Sequence, residues 1–311
     1  MKKIRWVLAH EPIELFVKGA EVFANEVNSK APDQLQIEIL TLSEYSEKYN
    51  SGVAINKHDL VQLLNDNKIE MGQTYTVTLG KISKDFQALD LPFLFSDHAH
   101  ATRVFEGPVG KQLLDGLSNS VNVKGLAFTY SGGFRIIPGN KQINSIDDLV
   151  GLKVRTSFSP VAQDVFSSVG AIPVPLEIEE LTENINVNVD AGESTYPRIY
   201  ALNQNTVCSV INHTEHSLFL TTILMSGNFW NDLTPELQQI VSDAALSAAR
   251  YERELSIEDV SLTREKCADD GITIIDLPLS EKSKFKLATD HLYEKYNSVF
   301  SSDLIKNIQN S

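Results

Sequence analysis

Ile4-Arg5-Trp6-Val7-Leu8-Ala9 has the length and apolar weight of a strand, and the residues after it change period. Phe16, Ala20, Phe23 and Val27 recur at helical spacing, and Leu35, Ile37 and Ile39 then alternate as in a strand with one buried face. Strand, helix and strand in that order make a βαβ unit, so the chain opens as an α/β protein. Further along, the pattern predicts helices near Asp59–Asn65 and over Ala99–Leu117. It also predicts a strand over Gly125–Tyr130, ahead of Gly132 and Gly133.

The second part repeats the rhythm. Leu152–Arg155 reads as a strand, and a well-punctuated helix follows, with Ser159 as N-cap, Pro160 at the first helical position and Gly170 just past the end. Val161, Val165, Phe166 and Val169 form its apolar face. Short strands are expected at Ile172–Val174, Val187–Val189 and Val207–Ile211, which gives a second α/β lobe.

From Thr234, another N-cap followed by Pro235, no Gly or Pro interrupts the chain until Gly271. One helix over that stretch would span roughly 55 Å at about 1.5 Å per residue, more than one small lobe is wide, so it is expected to cross both lobes. A coiled coil is the alternative, but Leu237, Ile240, Val241, Ala244, Ala248, Tyr251 and Leu255 do not continue as heptads. The expected partition is residues 1–131 with 213–252 as the N-terminal lobe, and 132–212 with 253–311 as the C-terminal lobe.

Composition narrows the function classes. Of 311 residues, 42% are hydrophobic and 22% charged, enough for two cores. A net charge of −14, spread along the chain, excludes a nucleic-acid or anionic-membrane partner, since both need a basic face. No apolar run reaches the eighteen or so residues of a membrane span. Cys208 and Cys267 are too few for a disulfide scaffold and too far apart for a zinc or redox motif; two separate buried thiols are expected. Met1-Lys2-Lys3 imitates the start of a signal peptide, but Arg5 and the His10-Glu11 pair interrupt the apolar run behind it.

Three stretches, taken together and in order over nearly the whole chain, resemble the DctP-type solute receptors of TRAP (tripartite ATP-independent periplasmic) transporters. The first is Leu89-Asp90-Leu91-Pro92-Phe93-Leu94-Phe95, leading to Gly107-Pro108-Val109-Gly110. The second comprises Gly133-Phe134-Arg135, Ile146 to Arg155 with its Gly151-Leu152-Lys153-Val154-Arg155 close, and Val169-Gly170-Ala171-Ile172-Pro173-Val174-Pro175. The third is Val189-Asp190-Ala191-Gly192-Glu193, with His216 and Trp230-Asn231-Asp232-Leu233 downstream. The resemblance implies a two-lobed, periplasmic-binding-protein-like fold with a ligand cleft between lobes and a long cross-lobe helix. It also implies closure around a small organic acid, a sugar acid among the candidates, and delivery to a small and a large membrane subunit driven by a sodium gradient. A monomeric, periplasmic protein whose leader has been removed is expected, without cofactor.

Arg155 occupies the position of the arginine that, in that family, forms a two-point salt bridge with a ligand carboxylate. A guanidinium fork suits a carboxylate, and a strand end is a usual ligand position in open α/β folds. Arg135 matches a second pocket arginine, which touches the ligand, holds a pocket acid or braces a hinge. His10 and Glu11 end the first strand where the family places ligand-facing groups; Glu11 alternatively caps the following helix. Tyr75 reads either as a ligand contact or as a half-buried core tyrosine. Where the family has Gly-Gln-Glu-Asn-Pro, this chain has Ala191-Gly192-Glu193-Ser194-Thr195, so Ser194 replaces the ligand-binding amide, and Asn212 and His213 are candidates for the missing contacts.

His98-Ala99-His100 and His213-Thr214-Glu215-His216 lack the order of a metal motif, and no nucleophile elbow, P-loop or dinucleotide fingerprint occurs. The alternatives to a transport receptor are an enzyme acting on an organic acid and a ligand-sensing module. Turnover without added cofactor would mark the first. A membrane span with a signalling domain would mark the second.

Overall fold

The computed structural model describes residues 1–10 and 12–311. Its strands, in chain order, are β1 (Lys2–Leu8), β2 (Leu35–Thr41), β3 (Met71–Tyr75), β4 (Val123–Phe134), β5 (Ile137–Gly139), β6 (Lys153–Thr156), β7 (Ile172–Pro175), β8 (Ala191–Gly192), β9 (Val210–His213), β10 (Leu218–Ser226) and β11 (Thr273–Asp276). The chain divides into two compact units, Met1–Ser83 with Phe105–Ser131 and Leu220–Leu255, and Lys84–Val104 with Gly132–Phe219 and Ser256–Ser311.

The first unit is built on the sheet β2-β1-β3-β10-β4. β1 runs parallel to both β2 and β3, while β3 and β10 are antiparallel. The opening βαβ reading holds: the helix Ile13–Lys30 buries Phe16, Ala20, Phe23 and Val27 against Ile4, Trp6 and Leu8. Trp6 and Phe23 meet edge to face at 5.2 Å. The helix Pro235–Asp269 adds Leu237, Val241, Ala244, Ala245, Ala248 and Ala249 to the same core. The alanines are fully buried there, whereas Tyr251, grouped with them in the sequence, is 40% exposed.

That helix has 35 residues, about 52 Å of rise at 1.5 Å each, and Thr234 Oγ1 accepts from Leu237 N at its start. Residues up to Leu255 belong to the first unit and those from Ser256 to the second. The expected single helix over Ala99–Leu117 is instead two, His98–Glu106 and Pro108–Gly116. Gly107 takes an extended conformation and Pro108 starts the second helix, because proline cannot donate into a preceding helical turn.

The second unit carries the sheet β11-β9-β5-β8-β6-β7, in which β6 is parallel to β7 and β8, and β5 antiparallel to β8 and β9. The helix Pro160–Ser168 starts as the sequence dictates, with Ser159 Oγ accepting from Ala162 N and Gly170 at φ +77° beyond its end. Val187–Val189 is not a strand. Val187 is 74% exposed in a turn, and the adjoining strand is the two-residue β8.

Lys84–Val104, expected in the N-terminal lobe, belongs to the second unit, and the later boundaries fall at Phe219/Leu220 and Leu255/Ser256. Packing explains the first shift: the Phe93 ring lies 5.4 Å from Phe285, and Tyr293 donates its hydroxyl to Pro92 O at 2.7 Å. Cys208 and Cys267 are free, buried thiols. No described helix is long and apolar enough to cross a membrane.

Candidate functional site

In the second unit, β6 carries Arg155 opposite Val174 of β7 and Gly192 of β8. The absence of a side chain at Gly192 is what admits it, since a Cβ there would stand 3.0 Å from Arg155 Cβ and 2.5 Å from Leu181 Cδ1. Arg155 is 4% exposed. Its Nε and Nη2 donate to Leu176 O at 2.8 and 2.6 Å, and Nη1 donates to Glu193 O at 3.2 Å. Both acceptors are neutral backbone carbonyls, and no carboxylate pairs with Arg155 among the described residues. Burial lowers its pKa to about 10, with Arg135 pushing the same way against the acids Glu193, Glu177 and Glu179, so the fork stays charged at neutral pH.

Arg135 directly follows β4 and is locked by its backbone: its N–H donates to Ser217 O and its carbonyl accepts from Glu215 N. The guanidinium lies over the Phe219 ring at 3.9 Å, and its Nε stands 3.8 Å from Glu193 Oε1. Arg198, fully buried, covers the same ring at 4.3 Å and donates to Thr195 Oγ1.

Glu193 is the anion of this cluster. Desolvation would raise its pKa, but Arg135, a hydrogen bond from His216 and the charge of Arg155 outweigh burial and hold it at about 2. Being ionised it can only accept, which assigns the proton to His216 Nε2, 3.1 Å from Glu193 Oε1. Thr214 Oγ1 closes the other side of the imidazole at 2.8 Å from Nδ1, while Phe285 stacks on its face and Phe166 meets it edge-on. A second carboxylate, Asp90, sits at 7% exposure beside Ser159. Burial pushes it up to about 6, against the pull of Arg135 and a Ser159 hydrogen bond and with a further push from Glu193.

Other residues expected here serve the scaffold. Ser194 Oγ donates to Gln204 Oε1 at 2.8 Å and is fully buried. Asn212 accepts from Ile143 N and donates to Ile137 O and Lys141 O, so its amide braces the β5–β6 connection. His213 sits between the Tyr196 hydroxyl, 3.1 Å from Nδ1, and Glu215, 3.3 Å from Nε2. Ser194 stands in place of the family's ligand-binding amide, and Asn212 and His213 follow a strand predicted to end at Ile211. Periodicity does not reveal that each already satisfies a neighbour.

In the first unit, His10 and Tyr75 come together. Their ring centroids are 3.9 Å apart, and His10 Nε2 lies 3.2 Å from Thr74 Oγ1. Both are buried; Tyr75 is the last residue of β3, and His10 follows β1 beyond Ala9. Glu11 lies outside the described residues. Sequence reasoning passed over Asp90, although an acid inside Leu89-Asp90-Leu91-Pro92-Phe93 is the signature of a buried charge. It also quoted Glu193 and His216 without a role. Among the described residues no group of three or more His, Cys, Asp and Glu could hold a metal ion.

A buried cationic fork on a strand end, with a second arginine and an ionised acid at its side, defines an α/β protein equipped to bind an anion. The chain belongs to a family of this kind: residues 9–299 match bacterial extracellular solute-binding protein family 7, DctP. It is 26% identical over 314 residues to the C4-dicarboxylate-binding protein DctB of Bacillus subtilis (strain 168), covering 98% of this chain and 86% of that one. It is also 26% identical to the 2,3-diketo-L-gulonate-binding periplasmic protein YiaO of Escherichia coli (strain K12), over 71% and 67% of the two chains. A TRAP periplasmic solute-binding protein from Ochrobactrum anthropi, solved with its C-terminus bound in the ligand-binding pocket, superimposes with a TM-score of 0.87 at 26% identity. The match covers 98% of this chain and 93% of that one.

Proposed function

We propose that this protein is the extracytoplasmic receptor of a TRAP transporter, and that it holds the carboxylate of a small organic acid on Arg155. The observation that carries this reading is the state of that guanidinium: buried, charged and hydrogen-bonded only to neutral carbonyls, without a carboxylate partner among the described residues. A buried cation is costly unless an anion meets it, and a ligand carboxylate supplies that anion together with a matching bidentate geometry. Family membership supports the receptor role. The relatives named for a C4-dicarboxylate and for a diketo sugar acid share only the carboxylate, the group Arg155 suits.

Arg135 contributes a second positive charge, while Glu193 and His216 fix the distance between the arginines. His10 and Tyr75, which meet in the first unit, are proposed as further ligand-binding residues. The protein binds without turning its ligand over, works in the periplasm and hands the acid to membrane subunits.

A thermal-shift screen of organic acids tests the reading. A ligand at a hundred times its dissociation constant adds about 2.7 kcal/mol of stability to the folded state. Several carboxylates are expected to raise the melting temperature. A screen in which only neutral sugars do so rejects the acid class.

A further inference from the structure

The second unit also holds a cavity of about 640 Å³ that is lined by none of Arg155, Arg135, Glu193 and His216. Its volume lies within the range of small-molecule sites. The walls are aromatic and are packed from behind. The Phe93 ring meets Phe285 edge to face at 5.4 Å, Phe95 lies 5.8 Å from the His100 ring, and Phe134 lies 4.9 Å from His98. Leu279 lines the same cavity with 82% of its surface exposed.

The backbone of this wall is strained at two points. Among the described residues other than glycine with positive φ, most are Ser, Asn or Asp, small polar types that adopt the left-handed conformation at low cost. The exceptions are Phe93 at +55° and Glu215 at +54°, and both line the cavity. Each is held by a long-range backbone bond, Phe93 N donating to His216 O at 2.7 Å and Glu215 N to Arg135 O at 3.1 Å. Strain that the surrounding fold maintains in this way collects at ligand clamps.

Charge narrows the ligand. The acids at the cavity are already engaged: Asp97 accepts from His100 N at 2.7 Å and from the Ser96 hydroxyl at 3.2 Å, and Glu215 pairs with Lys282 and His213. Burial lowers the pKa of His98 against the opposing pull of Glu215 and Asp97, which leaves the ring neutral at pH 7.5. The Lys286 ammonium has no ion pair or hydrogen bond among the described residues, so the uncommitted charge at the cavity is positive. Aromatic walls beside one free cation suit a ligand with a flat apolar body and a single negative charge.

We infer that this cavity is a second ligand site, for an aromatic monocarboxylate whose ring packs among Phe93, Phe95, Phe134 and Leu279 and whose carboxylate meets Lys286. It is separate from the Arg155 anchor and does not depend on it.

Fluorine NMR titration at pH 7.5 with 3-(4-fluorophenyl)propionate, and with the alcohol and the amine of the same skeleton, tests the site. The acid is expected to bind with a dissociation constant of about 1 mM or tighter, the alcohol about threefold more weakly and the amine more weakly still. Lys286→Glu, a change at an exposed position, should reverse the order of acid and amine while leaving the alcohol within about twofold. Ser283→Trp, which crowds the cavity, should abolish binding of all three probes. Arg155→Ala should keep the acid within about twofold; should that variant fail to fold, saturating the wild type with an acid from the thermal-shift screen blocks the Arg155 site instead. No binding of the fluorinated acid below about 5 mM, an order of affinities that Lys286→Glu leaves unchanged, or loss of the acid in Arg155→Ala would overturn the second site. Acids of the thermal-shift screen that still bind wild type and weaken in Arg155→Ala would then leave the carboxylate anchor standing.

Discussion

Replacing Glu193 by Gln removes the one anion that lies between Arg135 and His216, and the structure fixes what this should cost. The Glu193 carboxyl is ionised down to about pH 2, against 4.5 when unperturbed. A difference of about 2.5 pH units corresponds to roughly 3 kcal/mol of folded-state stability, present above the unfolded pKa and lost as pH falls through the folded one. The loss on Glu193→Gln at pH 7 is therefore expected at about 3 kcal/mol, within the 3–5 typical when one member of a buried pair is removed. The Glu193 contribution to the gap should be constant above about pH 5 and shrink to roughly half by pH 3, as the unfolded chain takes up the proton that folded Glu193 still lacks. Asp90 titrates in the opposite sense. Its raised pKa, from 3.8 to about 6, makes the protein less stable as pH rises through that interval; Glu193 is one of the charges that raise it, so the effect is smaller in Glu193→Gln and trims the gap above that interval. Urea unfolding of both proteins between pH 3 and 7, followed by tryptophan fluorescence and circular dichroism together, measures the gap. A difference below about 1 kcal/mol at pH 7, or one that grows as pH falls from about 4 to 3, would refute the assignment of Glu193 as the ionised brace of the arginines.

Two further substitutions probe the scaffold. Glu252, fully buried on the long helix, accepts from Gln73 Nε2 at 2.7 Å, and burial holds its carboxyl well above the usual carboxylate range. Glu252→Gln copies the protonated form, so its advantage in melting temperature over wild type should grow as pH rises, since a carboxyl with a raised folded pKa loses stability with rising pH. Equal pH profiles for the two proteins would contradict it. Gly192→Ala should cost about 1–3 kcal/mol by crowding Leu181 and Arg155, and should weaken acid binding in calorimetry because Arg155 must shift. An unchanged affinity would show that Gly192 does not position the arginine.

Much of the fold was legible because it is written in short-range patterns. The βαβ opening, the Ser159-Pro160 helix start and the uninterrupted helix after Thr234-Pro235 depend on spacing and capping that any window of the chain displays. The Gly107-Pro108 pair is visible in the sequence as well, and it marks the boundary between the two helices of that stretch. The two-residue β8 could not be read, since so short a strand has no period. At the site, sequence pointed to Arg155 and Arg135, but not to what surrounds them. Ser194, Asn212 and His213 turned out to hold Gln204, the β5–β6 connection and Tyr196, long-range pairings that alternation does not encode. Asp90 and the Glu193–His216 pair act through burial and neighbouring charge, which exist only after the second unit has folded.

The central claim is that Arg155 anchors a ligand carboxylate, and calorimetry of Arg155→Ala with an acid identified by the thermal-shift screen tests it most directly. Truncating one member of a desolvated charge pair costs about 2–5 kcal/mol, so affinity should drop by roughly thirty to several thousand fold, and Arg155→Lys, which cannot present a planar fork, should also lose much of it. A change of less than about threefold for Arg155→Ala in a protein that still folds would contradict the account.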